Sequence, residues 1–199
     1  KVADDGKGNL IAAEGSALVQ TTKVTNDYSP EKVTHKVDVS KVDVASGEEL
    51  PGATIQIIDS KGDVVEEWVS TDKPHTVEGL HVNEEYTLRE TIAPDGYTIA
   101  TDTKFTIDEK GNVDTKGSVT EDGILLVEDA KTRVTVSKVD IADGEEIAGA
   151  TIQILDSKGN VVEEWVSTDE AHVIEGLKTG EQYTMIETVA PEGYTIAGE

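Results

Sequence analysis

The chain contains no cysteine. That excludes a disulfide framework and any thiol nucleophile. A protein of this kind outside the cell would have to hold itself together in another way. Aromatic residues make up 4% of the sequence, which counts against an aromatic platform for a ligand. Cations are scarce: 17 Lys and Arg stand against 41 Asp and Glu, a formal net charge of −24. No basic face for nucleic acid can be built from that balance, and adsorption to an anionic membrane is opposed. The acidic surface repels itself and keeps the chain soluble. No run of 18 or more apolar residues and no signal-peptide pattern occurs, so a soluble piece, excised from something longer, is expected.

Metal chemistry also lacks its residues. His35, His75, His81 and His172 are scattered, none at ligand spacing from another histidine, and are read as surface residues. The acidic turns from Asp4 to Asn9 and from Asp140 to Glu146 do not follow a calcium-loop pattern. No Ser/His/Asp arrangement, phosphate loop or pair of hydrolytic carboxylates stands out. The expectation is no metal and no cofactor. Trp68 and Trp165 lie in alternating segments and are read as packing residues rather than sugar platforms.

What the sequence does contain is a repeat. "VSKVDVASGEELPGATIQIIDSKGDVVEEWVSTD" begins at Val39, and "VSKVDIADGEEIAGATIQILDSKGNVVEEWVSTD" begins at Val136. "YTLRETIAPDGYTIA" runs from Tyr86 to Ala100, and "YTMIETVAPEGYTIA" from Tyr183 to Ala197. Both pairs are offset by 97 positions (136 − 39 and 183 − 86). Within each copy, short runs rich in Val, Ile and Thr alternate in polarity between Gly, Pro, Asn and Asp turns. Several such strands at close spacing, with no long helical period, predict an all-β sandwich.

The copies are unequal. After "GYTIA" the first runs on through "TDTKFTIDEKGNV" to "GILLVEDAK", whereas the second reaches Glu199. "GKGNLIAAEGSALVQTTKVTNDY", from Gly6, resembles "EKGNVDTKGSVTEDGILLVEDAK", with Gly8-Asn9 matching Gly111-Asn112 and Asn26 matching Asp129 at an offset of 103 (129 − 26). The expected organisation is closing strands of a preceding or swapped module in 1–29. A complete module follows in 30–133, and the opening part of another in 134–199.

Strand parity puts three charges on core-facing positions. Lys41 shares a face with Val37 and Val39, Glu90 with Tyr86 and Leu88, and Asp129 with Leu125 and Val127. Glu128 falls on the solvent face, so Asp129 is the better acceptor. In the second copy Lys138 aligns with Val134 and Val136, and Glu187 with Tyr183 and Met185. Buried charges are costly unless paired. An apolar pocket raises a carboxyl pKa and lowers that of a lysine. A neutral amine held against a carboxyl carbon can attack it, and a neighbouring carboxylic acid can shuttle the protons. The product is a neutral amide.

The segments "VSKVD", "ETIAPDGY" and "LVEDAK" resemble the signatures of CnaB-type, SpaA-like prealbumin-fold domains of Gram-positive surface proteins and pilins. The resemblance implies tandem immunoglobulin-like or prealbumin-like β-sandwich modules with Lys–Asp or Lys–Asn isopeptide bonds assisted by a glutamate. Carried over, Lys41 is the nucleophile, Glu90 the proton shuttle and Asp129 the acceptor. Lys138 and Glu187 match the first two roles, with Asn26 as the candidate acceptor. Asn26 could close on its own chain, close on the next chain, or stay unjoined, the fragment leaving both ends unfinished. The implied role is a cell-surface stalk or spacer outside the cell, a single-turnover system and not an enzyme. Its partners would be neighbouring modules or identical chains joined by strand complementation. The alternative is an adhesin module holding a host glycan or matrix protein.

Overall fold

The computed structural model describes residues 2–4, 10–12 and 33–196. The chain divides into two compact units, 1–31 and 32–199. In the first, β1 (Val2–Asp4) pairs antiparallel with β2 (Leu10–Ala12) in the register Val2 to Ala12 and Asp4 to Leu10.

The second unit carries both copies of the repeat. In the first copy, β3 (Thr34–Asp43) is the centre of a three-stranded sheet. Its first half pairs antiparallel with β6 (His75–His81) and its second half parallel with β10 (Leu125–Asp129). The opposing antiparallel sheet has the order β5-β4-β7-β8-β9, from β4 (Thr54–Ile58), β5 (Val64–Val69), β7 (Tyr86–Ile92), β8 (Thr103–Ile107) and β9 (Val113–Thr115). The inward residues of both sheets form one buried cluster, including Val37, Val39, Ile55, Ile57, Val77, Leu88, Phe105, Leu125 and Val127. Period-two alternation produces it directly: β4 reads half-buried, buried, half-buried, buried, with Ile55 and Ile57 inside. The all-β sandwich expected from the sequence is the fold observed.

Local turn chemistry is also written in the sequence. Asp59 Oδ1 accepts from the N–H groups of Lys61 and Asp63, at 2.9 Å each. Asp108 holds Lys110 and Asn112, and Asp156 holds Lys158 and Asn160, in the same way. Each D-x-K-G-D/N stretch is thus a side-chain-stapled reversal whose glycine takes a positive φ.

The second copy repeats the opening strands as β11 (Arg133–Val136), β12 (Thr151–Leu155), β13 (Val161–Val166), β14 (His172–Glu175) and β15 (Thr184–Val189). They form a β11-β14 pair and a β13-β12-β15 sheet. Their smaller core comprises Ala150, Ile152, Ile154, Trp165 and Ile174. Among the described residues, no strand of this copy stands where β8, β9 and β10 stand in the first.

The histidine expectation needs correction. His75 stacks on Trp68 with ring centroids 4.4 Å apart and contacts Glu66 at 2.6 Å. His172 stacks on Trp165, also at 4.4 Å, and contacts Glu163 at 3.1 Å. Both are partly buried rather than free on the surface. In each copy the stack ties the edge strand carrying the tryptophan to the histidine's strand, while the tryptophan packs on the core as expected.

Candidate functional site: a buried lysine between two carboxylates

β3 is ten residues long, and its last five are all buried. Lys41 lies among them because parity points it inward and β10 covers it on one side. The parallel register places Val127 opposite Lys41 and Asp129 opposite Asp43. Lys41 therefore meets a strand whose Val127 lies 86 residues further along the chain. Its Nζ lies 2.6 Å from Asp129 Oδ1 and 3.6 Å from Glu90 Oε1. It also donates to the Val127 carbonyl at 3.4 Å. The three side chains are within 1% of complete burial.

Glu90 comes from the opposite sheet. It sits in β7, across from Ile55 of β4, and faces the lysine through the core. The Ala100 N–H holds its Oε2 at 2.6 Å, and Oε1 remains the atom turned toward Lys41. Burial pushes its carboxyl up to about 7, against the Ala100 N–H and the Lys41 charge, which both pull it down, and with Asp129 adding to the rise. A protonated Glu90 makes the trio electrically neutral, the state that a dry site favours.

Lys41 and Asp129 are close without being aligned as a hydrogen bond, for neither Asp129 oxygen accepts one in good geometry. An amine and a carboxyl held in contact in an apolar pocket are placed for condensation. A recess of about 170 Å³, lined by Glu90, Ala100, Thr103, Gly117, Val127 and neighbours, reaches the glutamate side of the trio.

Two supporting groups were not foreseen from the sequence. One is the Ala100 N–H, a backbone donor that leaves no residue-type signal. The other is the clamp between Tyr97 and Asp43. The tyrosine hydroxyl donates to Asp43 Oδ2 at 2.9 Å, while Oδ1 accepts from Ala45 and Ser46. The Ser46 and Ala45 N–H groups and the tyrosine hydroxyl hold the Asp43 carboxyl below the usual carboxylate range. The clamp fixes the loop after Glu90 to the end of the lysine strand. The repeat carried a signal for it: Tyr194 donates to Asp140 Oδ2 at 2.7 Å in the second copy.

Lys138 and Glu187 are also brought together, with Lys138 Nζ 3.4 Å from Glu187 Oε1. Their setting is looser. β11 ends at Val136, so Lys138 lies beyond the strand, and its side chain is 18% exposed. Asn26 lies outside the described residues. Glu128 is exposed, as parity required, and its carboxylate takes the Ser118 hydroxyl. Among the described residues no cluster of three metal-ligating side chains occurs, and no helix is long and apolar enough to cross a membrane.

Two facing sheets closed by a parallel pairing of first and last strands, with ionisable groups sealed between them, define a prealbumin-like domain. The SpaA prealbumin-like fold domain matches residues 35–121 and 132–199, and the chain belongs to that family. The first match stops short of β10, so the placement of Asp129 rests on the geometry above. Among solved structures, the Bacillus anthracis TIE protein is 29% identical, over 84% of this chain and 31% of its own, with a TM-score of 0.46. The chain thus spans about a third of that protein's length. The shaft pilin spaA of Lactobacillus rhamnosus GG is 16% identical, covering 83% of this chain and 91% of its own, with a TM-score of 0.40. A C-terminal fragment of the pilus adhesin SpaC from the same organism is 19% identical, covering 82% and 78%, with a TM-score of 0.42. No curated protein matches the chain.

Proposed function

We propose that the chain is a structural stalk or spacer segment of a Gram-positive surface protein or pilus-like fibre, working outside the cell and stabilised by an amide between Lys41 and Asp129. The observation that carries the reading is the 2.6 Å approach of Lys41 Nζ to Asp129 Oδ1 beside a Glu90 whose carboxyl is raised to about 7. The Lys41 ammonium passes one proton to the Asp129 carboxylate. The resulting amine attacks the Asp129 carboxyl carbon, the protonated Glu90 gives its proton to the departing hydroxyl, and Glu90 takes one back from the new amide nitrogen. One C–N bond forms, one C–O bond breaks and one water leaves, so ammonium plus carboxylate become amide plus water. Glu90 ends in the state in which it began. Each site reacts once, so this is not enzymatic turnover.

The bond would join the parallel strands β3 and β10, the two ends of the first copy. In the chain-entropy treatment of cross-links, closing a loop of that length is worth roughly 4–5 kcal/mol. It would also stop a pulling force from peeling the terminal strands away, which suits a chain without disulfides. Residues 1–29 are proposed to be closing strands of the same kind, 30–133 a complete module, and 134–199 the opening of another. β1 pairs β2 in the register by which β8 pairs β9, displaced by 103 positions, which supports this division. On the same reading Asn26 condenses with Lys138 beside Glu187, releasing ammonia, within one chain or between successive chains.

Intact mass under denaturing conditions tests the mechanism. A deficit of ~18 Da means that Lys41 has condensed with Asp129. A further deficit of ~17 Da in a monomer places Asn26 on Lys138 within the chain, and a ladder on a boiled gel places that bond between chains. The full sequence mass without a ladder removes the cross-linking mechanism.

A further inference from the structure

Residues 130–133 connect the two copies, and backbone hydrogen bonds hold them on both sides. From the first copy, Thr98 N–H donates to the Ala130 carbonyl, and Gly96 accepts from Thr132 N–H, both at 2.9 Å. Tyr97 forms an isolated bridge with Lys131. From the second copy, Gly176 N–H donates to the Thr132 carbonyl at 3.0 Å, and Arg133 pairs with Glu175. The Thr132 hydroxyl adds a bond to the Leu177 carbonyl at 2.5 Å. The connection is therefore a short segment hydrogen-bonded to both copies, not a slack linker.

The first copy meets the second at its Pro94–Tyr97 turn. Tyr97 N–H closes on Pro94 O at 3.1 Å, and Gly96 takes a φ of +84° at the third position. Gly96 then lies directly against Gly176: a Cβ built on it would be 2.7 Å from the Gly176 carbonyl oxygen. Beside that contact Asp95 meets Lys178 at 2.5 Å. The ion pair is exposed and contributes little by itself, so the fit depends on backbone approaching backbone.

The second copy provides a natural control. Its Pro191–Tyr194 turn has the same closing bond, at 3.1 Å, and the same glycine conformation, with Gly193 at +86°. Among the described residues, a Cβ on Gly193 meets nothing within 4 Å. The turn therefore takes this shape with no described residue packed against its glycine. The demand for a bare backbone at Gly96 beyond its φ comes from the neighbouring copy.

We infer that the Pro94–Tyr97 turn is a docking element whose partner is the Gly176–Leu177–Lys178 segment of the following repeat, so that the two repeats move as one body. The partner chemistry is specific: a glycine carbonyl free of side-chain cover, a donor N–H from the same glycine to the linker, and a cation two residues on. The Pro191–Tyr194 turn is preformed for the same kind of partner, a further repeat of this family. This holds whether or not the Lys41–Asp129 amide forms, and the mass measurement reports on that bond separately.

Residual dipolar couplings of the full chain in a dilute aligned medium test the inference. The amides of 34–129 and 133–189 should fit a single alignment tensor. Gly96→Val should split them into two tensors, whereas Gly193→Val, with the same backbone penalty and no docked neighbour, should leave one. Should Gly96→Val disturb the fold of the first copy, Lys178→Glu is the second variant. It sets like charges against each other at the exposed Asp95 and should pull the two tensors apart at low salt. Two tensors in the unmodified chain, or one tensor in Gly96→Val and Lys178→Glu alike, would overturn the docking role.

Discussion

Leu88 and Met185 hold the same place in two copies of one repeat, yet Leu88 is 2% exposed and Met185 53%. Val37 and Val134 differ in the same way, at 3% and 43%. Local sequence does not cause this, because the opening strands are nearly identical and form the same pairings, including the same irregularity between β4 and β5 and between β12 and β13. The Trp–His stack and the stapled turns also recur unchanged. The difference is the cover supplied by β8, β9 and β10. Among the described residues, the opening strands of the second copy bring a lysine near a glutamate, and in the first copy the closing strands bury that pair and add Asp129. The burial belongs to the completed sandwich, not to the motif.

The sharpest way to break that comparison is to remove the lysine from each copy. Lys41→Ala leaves Glu90 and Asp129 buried against each other without a cation. The expected loss is about 3–5 kcal/mol from the uncompensated charge alone. Lys138→Ala removes a partly exposed pair partner and should cost less than about 1 kcal/mol. Denaturant unfolding followed by Trp68 or Trp165 fluorescence, with the other tryptophan changed to Phe, assigns each loss to its copy. Equal losses at the two positions would mean that cover by the closing strands does not set the cost of the buried charges.

Much of this arrangement is legible in the sequence. Alternation in "VDVSKVD", "YTLRETI" and "LLVED" puts Lys41, Glu90 and Asp129 on inward faces, and period two leaves no freedom about which neighbours share a face. The fold class follows from turn residues and strand spacing. Sequence does not show that β3 and β10 lie side by side in parallel, because that pairing spans most of the module and neither strand carries a partner-specific signal. The family resemblance implied that Lys41 and Asp129 meet, not that their strands pair in parallel. The Ala100 donor was invisible because a backbone N–H is common to nearly every residue. The histidines were misjudged because isolated titratable residues say nothing of a tryptophan on the facing strand. For Met185 and Val134, parity was correct about the face and silent about whether anything covers it.

A second pair of substitutions isolates the effect of cover. Leu88→Ala empties a filled site between two sheets and should cost about 2–5 kcal/mol. Met185→Ala trims a side chain that is already half in water and should stay within about 1 kcal/mol. Thermal or denaturant unfolding measures both. A loss at Met185 as large as at Leu88 would mean that the second copy is closed in solution by strands other than β11 to β15. That outcome would favour complementation by residues 1–29.

The subtlest difference lies in pH dependence. Glu90 has a folded-state carboxyl raised from 4.5 to about 7, chiefly by burial. Folding therefore binds a proton between those values, and the unfolded chain holds fewer protons than the folded one. Stability then falls as pH rises through that window. The contribution is complete below about 4.5 and lost once pH passes the folded value near 7. The change is on the order of 1–3 kcal/mol, since a tenfold difference in proton affinity between the folded and unfolded chains is worth about 1.4 kcal/mol. Many other carboxylates titrate in so acidic a chain, so the decisive quantity is the difference between variants. Glu90→Gln replaces the titrating group with a neutral one of the same shape. The slope of unfolding free energy against pH from about 5 to 7 should flatten by this amount, with Glu187→Gln as the reference from the open copy. An unchanged slope in Glu90→Gln would mean that Glu90 is ionised throughout the window. The trio would then carry a net negative charge, and Glu90 could not donate the proton that the proposed condensation requires.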